Sequence, residues 1–225
     1  MSTDKENKRD VSVEATSASA DEGASDVFTP ENDIFSHETE AMLPALARRS
    51  VETFVRERRV IAPPPVPGSS ILLRKAACFV SIKTNLKELR GCIGTIEPYH
   101  ETLAEELIAN AVSAATRDPR FPPVAEAELP RLRYSVDVLS DPEPTRFEDL
   151  DPSNFGVIVE DETGARRGLL LPDIEGIETA SQQVEIAARK AGIMQGTPLK
   201  LFRFRVRRFG EGTHFRQNSE QGANQ

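Results

Sequence analysis

The most informative stretch of this 225-residue chain reads Leu89-Arg90-Gly91-Cys92-Ile93-Gly94-Thr95. It lies within residues 89–96, which we predict to form a β-strand. Glycine is unfavourable inside a strand unless the backbone bulges or another group approaches it closely. Two glycines around Cys92 therefore indicate an exposed backbone beside a reachable thiol. The alternative is that Cys92 packs as a small hydrophobic residue between glycines that only fit a tight sheet, and the spacing leaves both interpretations open.

Arg90 stands two residues before Cys92, so a regular strand places both side chains on the same face. A guanidinium close to a thiol stabilises the thiolate and lowers the pKa of the cysteine. On the first interpretation, Cys92 is a reactive thiol and Arg90 is its electrostatic partner.

Alternating apolar and polar side chains predict further strands. They cover residues 76–84, 132–138, 155–160, 167–171 and 199–209. In the first of these, Cys78 alternates with Val80 and Ile82, so we expect Cys78 in the core. The third and fourth form a hairpin, because Gly164 between them suits a turn with positive φ. We treat residues 199–209 as a single strand whose Phe202 and Phe204 face the core.

Apolar residues at helical spacing predict three helices. They begin near Ser36, at Thr102 and at Thr179. Pro44 fits the first helix only in or before its first turn, because proline lacks the N–H that an interior turn uses. Thr179 and Gln182 have capping-box spacing, and Gly192 supplies a stop. Helices and strands in this irregular order, with a hairpin, indicate an α+β fold rather than a doubly wound parallel sheet.

The net charge of −8 comes from the first 40 residues, which hold three basic and eleven acidic side chains, while the other 185 residues hold 25 of each. Residues 1–36 also have too little apolar surface to offset the entropy of ordering the backbone. We expect a disordered acidic tail over 1–36, a folded domain over 37–212 and a disordered C-terminal tail over 213–225. The acidic composition therefore excludes neither an acidic nor a basic ligand of the folded part.

Cysteine usage and apolar runs bear on location. Cys78 and Cys92 are the only cysteines, so there is no disulfide framework or CxxC pair, which favours a reducing compartment. We find no apolar signal-peptide core at the N-terminus and no run long enough to span a bilayer. The sequence predicts a cytoplasmic protein, or a nuclear one if the source is eukaryotic, that does not associate with membranes.

A second motif, Arg117-Asp118-Pro119-Arg120, follows the second predicted helix. Asp118 can cap the turn, while Arg117 and Arg120 offer bidentate donors to a carboxylate or phosphate. The alternative is a rigid proline turn in which both arginines are solvated or pair with Asp118.

Four arginines, Arg203, Arg205, Arg207 and Arg208, mark the last predicted strand and could contact phosphates. We do not expect nucleic-acid binding, because the aromatic residues alternate onto the opposite face and leave no stacking platform. A solvated or internally paired strand face is the preferred interpretation. Phosphate-binding glycine loops are absent and the three histidines are scattered, so we expect neither a cofactor nor a metal.

Three motifs in this order resemble the AMMECR domain family, named from the AMME-syndrome chromosomal region. They are LRGCIGT at 89–95, AATRDPRFPP at 114–123 and GLLLP at 168–172. The resemblance covers residues 40–212. It implies two lobes, a larger one with a mostly antiparallel sheet flanked by helices and a smaller α/β lobe, with a cleft beside the LRGCIGT strand. It also implies partnership with a Memo-like protein and a radical SAM protein, but no established reaction.

The resemblance places the functional surface on the first two motifs. Its residues in this chain are Arg90, Gly91, Cys92, Gly94, Thr95, Arg117, Asp118 and Arg120. One hypothesis is an enzyme or enzyme component in which Cys92 is the nucleophile or transient carrier and Arg90 assists it. The remaining residues would then bind a small anionic ligand. The other hypothesis is a non-catalytic binding or scaffold module for a protein or small anion.

Overall fold

The computed structural model describes residues 37–68 and 70–211. The predictions of tails at 1–36 and 213–225 lie outside these residues. Within them are three α-helices: α1 (His37–Glu57), α2 (Leu103–Thr116) and α3 (Ala180–Lys190). None of these helices is long and apolar enough to cross a membrane.

Helix α1 departs from the prediction for Pro44. We expected this proline in or before the first turn, but it lies at the eighth position of a 21-residue helix. Proline cannot donate to the carbonyl four residues earlier, so the helix continues without one backbone hydrogen bond near its start. The apolar face of α1 is fully buried around Leu43, Ala47 and Val51, and this packing keeps the helix intact.

The other two helices begin at the predicted caps. The Thr102 side chain accepts a hydrogen bond from the Glu105 N–H at the start of α2. Thr179 and Gln182 form the reciprocal capping box of α3, and Gly192 follows that helix with a φ of +66°. Both helices therefore start where side chains satisfy the free N–H groups of the first turn.

In the described part of the chain, eight strands form two antiparallel sheets. The strands are β1 (Cys78–Thr84), β2 (Leu89–Gly94), β3 (Leu132–Leu139), β4 (Glu143–Pro144), β5 (Gly156–Asp161), β6 (Arg167–Leu170), β7 (Leu199–Phe204) and β8 (Val206–Gly210). The first sheet has the order β2-β1-β3-β8 and the second β4-β7-β5-β6. With three helices, this is the predicted α+β architecture of two lobes.

The prediction of one strand over 199–209 is wrong. The chain breaks at Arg205, so that β7 belongs to the second sheet and β8 to the first. Phe204 packs in the cluster between the sheets, whereas Phe209 packs in the core of the first lobe. This crossing connects the two lobes through adjacent residues.

Each lobe has its own core. Helices α1 and α2 pack on one face of the first sheet, where Cys78, Val80 and Ile82 are fully buried as predicted. Helix α3 packs on the outer face of the second sheet against Val157 and Val159. A smaller apolar cluster lies where the remaining faces meet, and it contains Ala77, Leu139, Ile158, Leu169 and Phe204.

Candidate functional site

The first sheet turns one face away from α1 and α2, and only one end of that face is covered by the second lobe. Leu139 and the partly buried Phe79 lie at the covered end, in the cluster between the lobes. Moving along the strands away from that cluster, the face becomes polar. We call this uncovered part of the face the cleft floor.

A row of small residues crosses the cleft floor. In the strand register, Cys92 of β2 pairs with Ser81 of β1, Ser81 pairs with Ser135 of β3, and Ser135 pairs with Gly210 of β8. Paired residues on neighbouring strands point to the same face of a sheet. The row is a shallow trough, with Cys92 at the edge strand and no bulky side chain along it.

The Cys92 thiol is free, partly exposed and in contact with a hydroxyl. Ser81 donates a hydrogen bond from Oγ to Cys92 Sγ over 3.2 Å. Since β2 is the edge of the sheet, the main-chain N–H of Cys92 points away from β1, and it donates to Asp118 Oδ2 over 2.8 Å. The strand that carries the thiol is therefore held by β1 on one side and by Asp118 on the other.

Asp118 brings the second motif to the first. This buried carboxylate accepts hydrogen bonds from the Arg120 N–H at 3.1 Å, the Arg120 Nε at 2.9 Å and the Arg120 Nη2 at 2.7 Å. The hydrogen bonds from the Arg120 side chain hold the pKa of Asp118 far below its usual range, and they outweigh burial, which raises it. Asp118 caps the turn, as the sequence suggested, and also pairs internally with Arg120.

Arg208 forms a similar pair on the far side of the row. Its Nε and Nη2 donate to the two oxygens of the buried Asp137 over 2.7 and 3.0 Å. The hydrogen bonds that Arg208 donates to Asp137 are the main reason that the pKa of Arg208 is raised; burial opposes this shift, and the negative charges of Asp137 and Asp173 add to it. Arg208 lies two residues before Gly210, which ends the row that begins at Cys92.

Arg90 does not contact the thiol. The pairing of β1 with β2 shifts between Ile82 and Lys83, and this irregularity leaves Arg90 without a partner on β1. Arg90 instead donates from Nε and Nη2 to both oxygens of Glu128, over 2.7 and 3.0 Å. Because bulges redirect side chains, Arg90 does not share a strand face with Cys92 as expected. It forms an ion pair with Glu128 instead.

Thr95 lies on the helix side of β2 rather than on the cleft floor. Its hydroxyl donates to Oε1 of the buried Glu106 over 2.5 Å, and the Tyr99 and His100 N–H groups donate to Oε2 at 2.9 Å. Asn110 also donates to the Thr95 hydroxyl, over 3.4 Å. Thr95 therefore anchors the loop after β2 to helix α2.

The two glycines of the first motif do not expose the backbone: Gly91 is buried, and both allow close approaches, as in the alternative of a tightly packed sheet. A Cβ at Gly91 would lie 2.2 Å from the carbonyl oxygen of Ala114 in α2. A Cβ at Gly94 would lie 2.2 Å from the Phe79 ring and 2.7 Å from the carbonyl oxygen of Cys78. Gly91 brings the helix against the edge strand, and Gly94 lets Phe79 lie flat across it.

The remaining predicted residue, Arg117, is exposed at the end of α2, and its side chain makes no hydrogen bond or ion pair within residues 37–68 and 70–211. The sequence pattern gives no signal for Ser81, Ser135 or Asp137 as site residues. It marks Arg208 as one of four arginines, and Arg208 is internally paired, as the preferred interpretation of that cluster expects. In the described part of the chain, no group of three or more His, Cys, Asp or Glu side chains is arranged to hold a metal ion.

These features define a class of protein, an α+β domain of two lobes with a cysteine-containing cleft at the edge of its larger sheet. A model of the AMMECR1 family matches residues 44–209, and the chain belongs to this family. A protein of Thermotoga maritima is 46% identical over 165 residues, which are 72% of this chain and 94% of that protein. A protein of Thermofilum pendens is 39% identical over 201 residues, covering 79% of this chain and 92% of the relative.

A solved structure shows the same fold. The crystal structure of an uncharacterized protein from Pyrococcus horikoshii superposes with a TM-score of 0.70 at 30% sequence identity. The match covers 80% of this chain and 94% of the other. The two sheets and their helices are therefore those of the family.

Proposed function

We propose that this protein is a component of an enzyme system in which the cleft floor binds an anionic ligand and the Cys92 thiol acts on it as a nucleophile or transient covalent carrier. The observation that carries the proposal is the position of the thiol. It is partly exposed at one end of a row of small side chains, on an edge strand held by the buried Asp118 carboxylate. A fixed, accessible thiol beside fixed positive groups suits covalent catalysis.

In the proposed step, the thiolate sulfur of Cys92 forms an S–C bond with an electrophilic carbon of the ligand. The leaving group departs with the electrons of the bond that breaks. The thiol proton goes to solvent, because within the described residues the hydrogen-bonding partner of Sγ is the Ser81 hydroxyl, which is a poor base. The Ser81 hydroxyl orients the sulfur.

The family resemblance extends this proposal to partners. We propose a Memo-like protein and a radical SAM protein as the other components of the system, acting before or after this domain on the same ligand. Two free cysteines support a cytoplasmic location for it.

A non-catalytic binding or scaffold module is the second candidate. The environment of the thiol favours this candidate. Across residues 37–68 and 70–211, no imidazole or carboxylate is hydrogen-bonded to Cys92 Sγ. Arg90 forms an ion pair with Glu128 and does not contact the thiol. In this case the cleft would hold the ligand or a protein segment without forming a bond to it.

Alkylation tests the first proposal with an internal control. Burial raises the pKa of the Cys78 thiol to about 12, and this side chain is fully enclosed, so Cys78 should resist iodoacetamide in the folded protein. Cys92 should be modified at least as fast as glutathione at the same pH, as measured by mass spectrometry of the two cysteine peptides. Slower modification of Cys92 than of glutathione would contradict a nucleophilic role.

Co-purification separates the two candidates. The native protein and the Cys92→Ser variant would be isolated from cells, and bound proteins and thiol-linked adducts would be identified by mass spectrometry. An adduct on Cys92 that is absent from the variant supports the enzyme component. The same protein partners with both forms, without an adduct, favour the scaffold.

A further inference from the structure

We infer that Arg208, held by Asp137, is a ligand-binding residue of the cleft, and that with Arg120 it selects ligands that carry a carboxylate or phosphate group next to the reacting carbon. This inference rests on the proposed function, because it assigns a ligand class to the same cleft. It adds a residue outside the motifs that carry the family resemblance.

The two arginines are built alike. Each uses Nε and Nη2 to bind both oxygens of one aspartate, and within the described residues neither Nη1 makes a hydrogen bond. The carboxylates are almost fully enclosed, with exposed side-chain fractions of 2% for Asp118 and 6% for Asp137, whereas those of Arg120 and Arg208 are 55% and 53%. In each pair, the carboxylate is therefore buried and the guanidinium is exposed to solvent.

This construction favours anion binding. A bidentate carboxylate fixes the plane of the guanidinium, so little side-chain entropy is lost when a second anion binds the remaining N–H groups. Planar guanidinium groups match the oxygens of carboxylates and phosphates. The buried aspartates act on the ligand only through the arginines that they position.

The arginines come from two different elements, Arg120 from the turn after α2 and Arg208 from β8. Arg120 reaches the β2 edge through Asp118, which also binds the Cys92 N–H. Arg208 lies on β8, beside the far end of the small-residue row, since its partner Asp137 neighbours Ser135 by two positions on β3. Strand spacing of about 4.8 Å puts β2 and β8 about 14 Å apart. The Arg208 side chain reaches from β8 to Asp137 on the neighbouring strand β3 and so covers part of this span.

The second lobe supplies a competing charge. Asp173 follows the GLLLP motif with a φ of +53°, and its N–H donates to the Pro152 carbonyl over 2.8 Å. The negative charge of Asp173 contributes to the raised pKa of Arg208. A ligand anion at Arg208 would therefore meet repulsion from Asp173, and removing this charge should strengthen anion selection.

Two alkylating probes of nearly equal size test the inference. Iodoacetate is anionic and iodoacetamide is neutral, and with either one the thiolate sulfur displaces iodide. The ratio of their rates at one pH does not depend on the thiolate fraction of Cys92. We expect this ratio, relative to that of glutathione, to be raised in the native protein and to fall about three- to tenfold in Arg208→Gln. Asp173→Asn should raise it.

The control is Arg203→Gln, which removes the same charge from β7, where Arg203 pairs with Glu143 in the second lobe. It should leave the ratio unchanged. Because Arg208→Gln leaves Asp137 buried without a partner, a variant with both Asp137→Asn and Arg208→Gln serves if the single variant unfolds. Protection of Cys92 from iodoacetate by inorganic phosphate or by succinate would show which anion the cleft prefers.

The outcomes are distinct for the two proposals. A ratio equal to that of glutathione, with normal iodoacetamide reactivity, overturns the role of Arg208 but leaves the thiol chemistry standing. Equal falls in Arg208→Gln and Arg203→Gln also overturn it, since they would reflect only the overall charge. Slow reaction of Cys92 with iodoacetamide counts against the proposed function itself.

Discussion

Asp118 accepts a hydrogen bond of 2.8 Å from the main-chain N–H of Cys92, 26 residues earlier in the chain. An edge strand normally leaves such N–H groups to solvent. Here a buried carboxylate occupies the edge and also holds Arg120. One side chain therefore joins the two sequence motifs and fixes the backbone that carries the thiol.

Replacing Asp118 should destabilise the fold. In Asp118→Ala, the Cys92 N–H and the Arg120 guanidinium lose their charged acceptor, and we expect the free energy of unfolding to fall by roughly 2–4 kcal/mol. Urea unfolding followed by circular dichroism would measure the change. Asp141→Ala, at an exposed aspartate, is the matched control and should change stability by less than about 0.5 kcal/mol. A loss no larger than in this control would mean that the edge contact is not needed.

Asp118 also predicts how stability depends on pH. Its pKa in the folded protein is far below the usual value, so the unfolded state binds more protons wherever the pH is near or below the ordinary aspartate pKa of about 3.9. The contribution of ionised Asp118 to the free energy of unfolding is fully present above the ordinary aspartate pKa. It is lost as the pH falls toward the pKa of Asp118 in the folded protein. Unfolding free energies at pH 6 and pH 3 should differ less in Asp118→Asn than in the native protein. Equal differences would show that other carboxylates dominate acid unfolding.

The steric effect of adding a methyl group should be large at Gly91 of the first motif and small at Gly68, which lies outside the motif. Gly91→Ala would place a methyl group against the backbone of α2 at Ala114, which cannot move alone, and we expect a loss of roughly 1–3 kcal/mol. Gly68→Ala adds a methyl group where no atom lies within 4 Å and should be nearly neutral. Melting temperatures of the two variants would test this. Similar melting temperatures would contradict the close packing of α2 on β2.

Much of this fold can be predicted from local sequence because local chemistry decides it. The Thr179 capping box, the Gly164 turn and the alternation of Cys78, Val80 and Ile82 all involve neighbours in the chain. The break at Arg205 also leaves a signal: Phe204 is in phase with Phe202, but the buried Phe209 is an odd number of residues later. Such a change of phase is incompatible with one regular strand that buries one face.

The candidate site could be predicted only in part, because pairing between distant segments completes it. Arg208 and Asp137 are 71 residues apart, and only the β3–β8 register brings them together. The direction of Arg90 depends on a register shift between β1 and β2 that its own sequence does not reveal. Cys92 and Asp118 were identified from their motifs, whereas their neighbours Ser81 and Ser135 carry no motif of their own.

Thr95 provides a test of which motif residues act through structure. Its hydroxyl donates to Oε1 of Glu106 over 2.5 Å, in a buried network on the helix side of β2. The nearly isosteric Thr95→Val removes this donor and leaves a buried carboxylate oxygen without it, so we expect a loss of about 1–3 kcal/mol in unfolding free energy. The ratio of iodoacetate to iodoacetamide rates at Cys92 should stay at the native value, because the hydroxyl does not face the cleft floor.

Ser81→Ala is the matched comparison. It removes a hydroxyl that does contact the Cys92 sulfur, and it should alter the alkylation rate while reducing the free energy of unfolding by less. A Thr95→Val variant that keeps full stability but changes the alkylation ratio would instead place Thr95 among the ligand-binding residues.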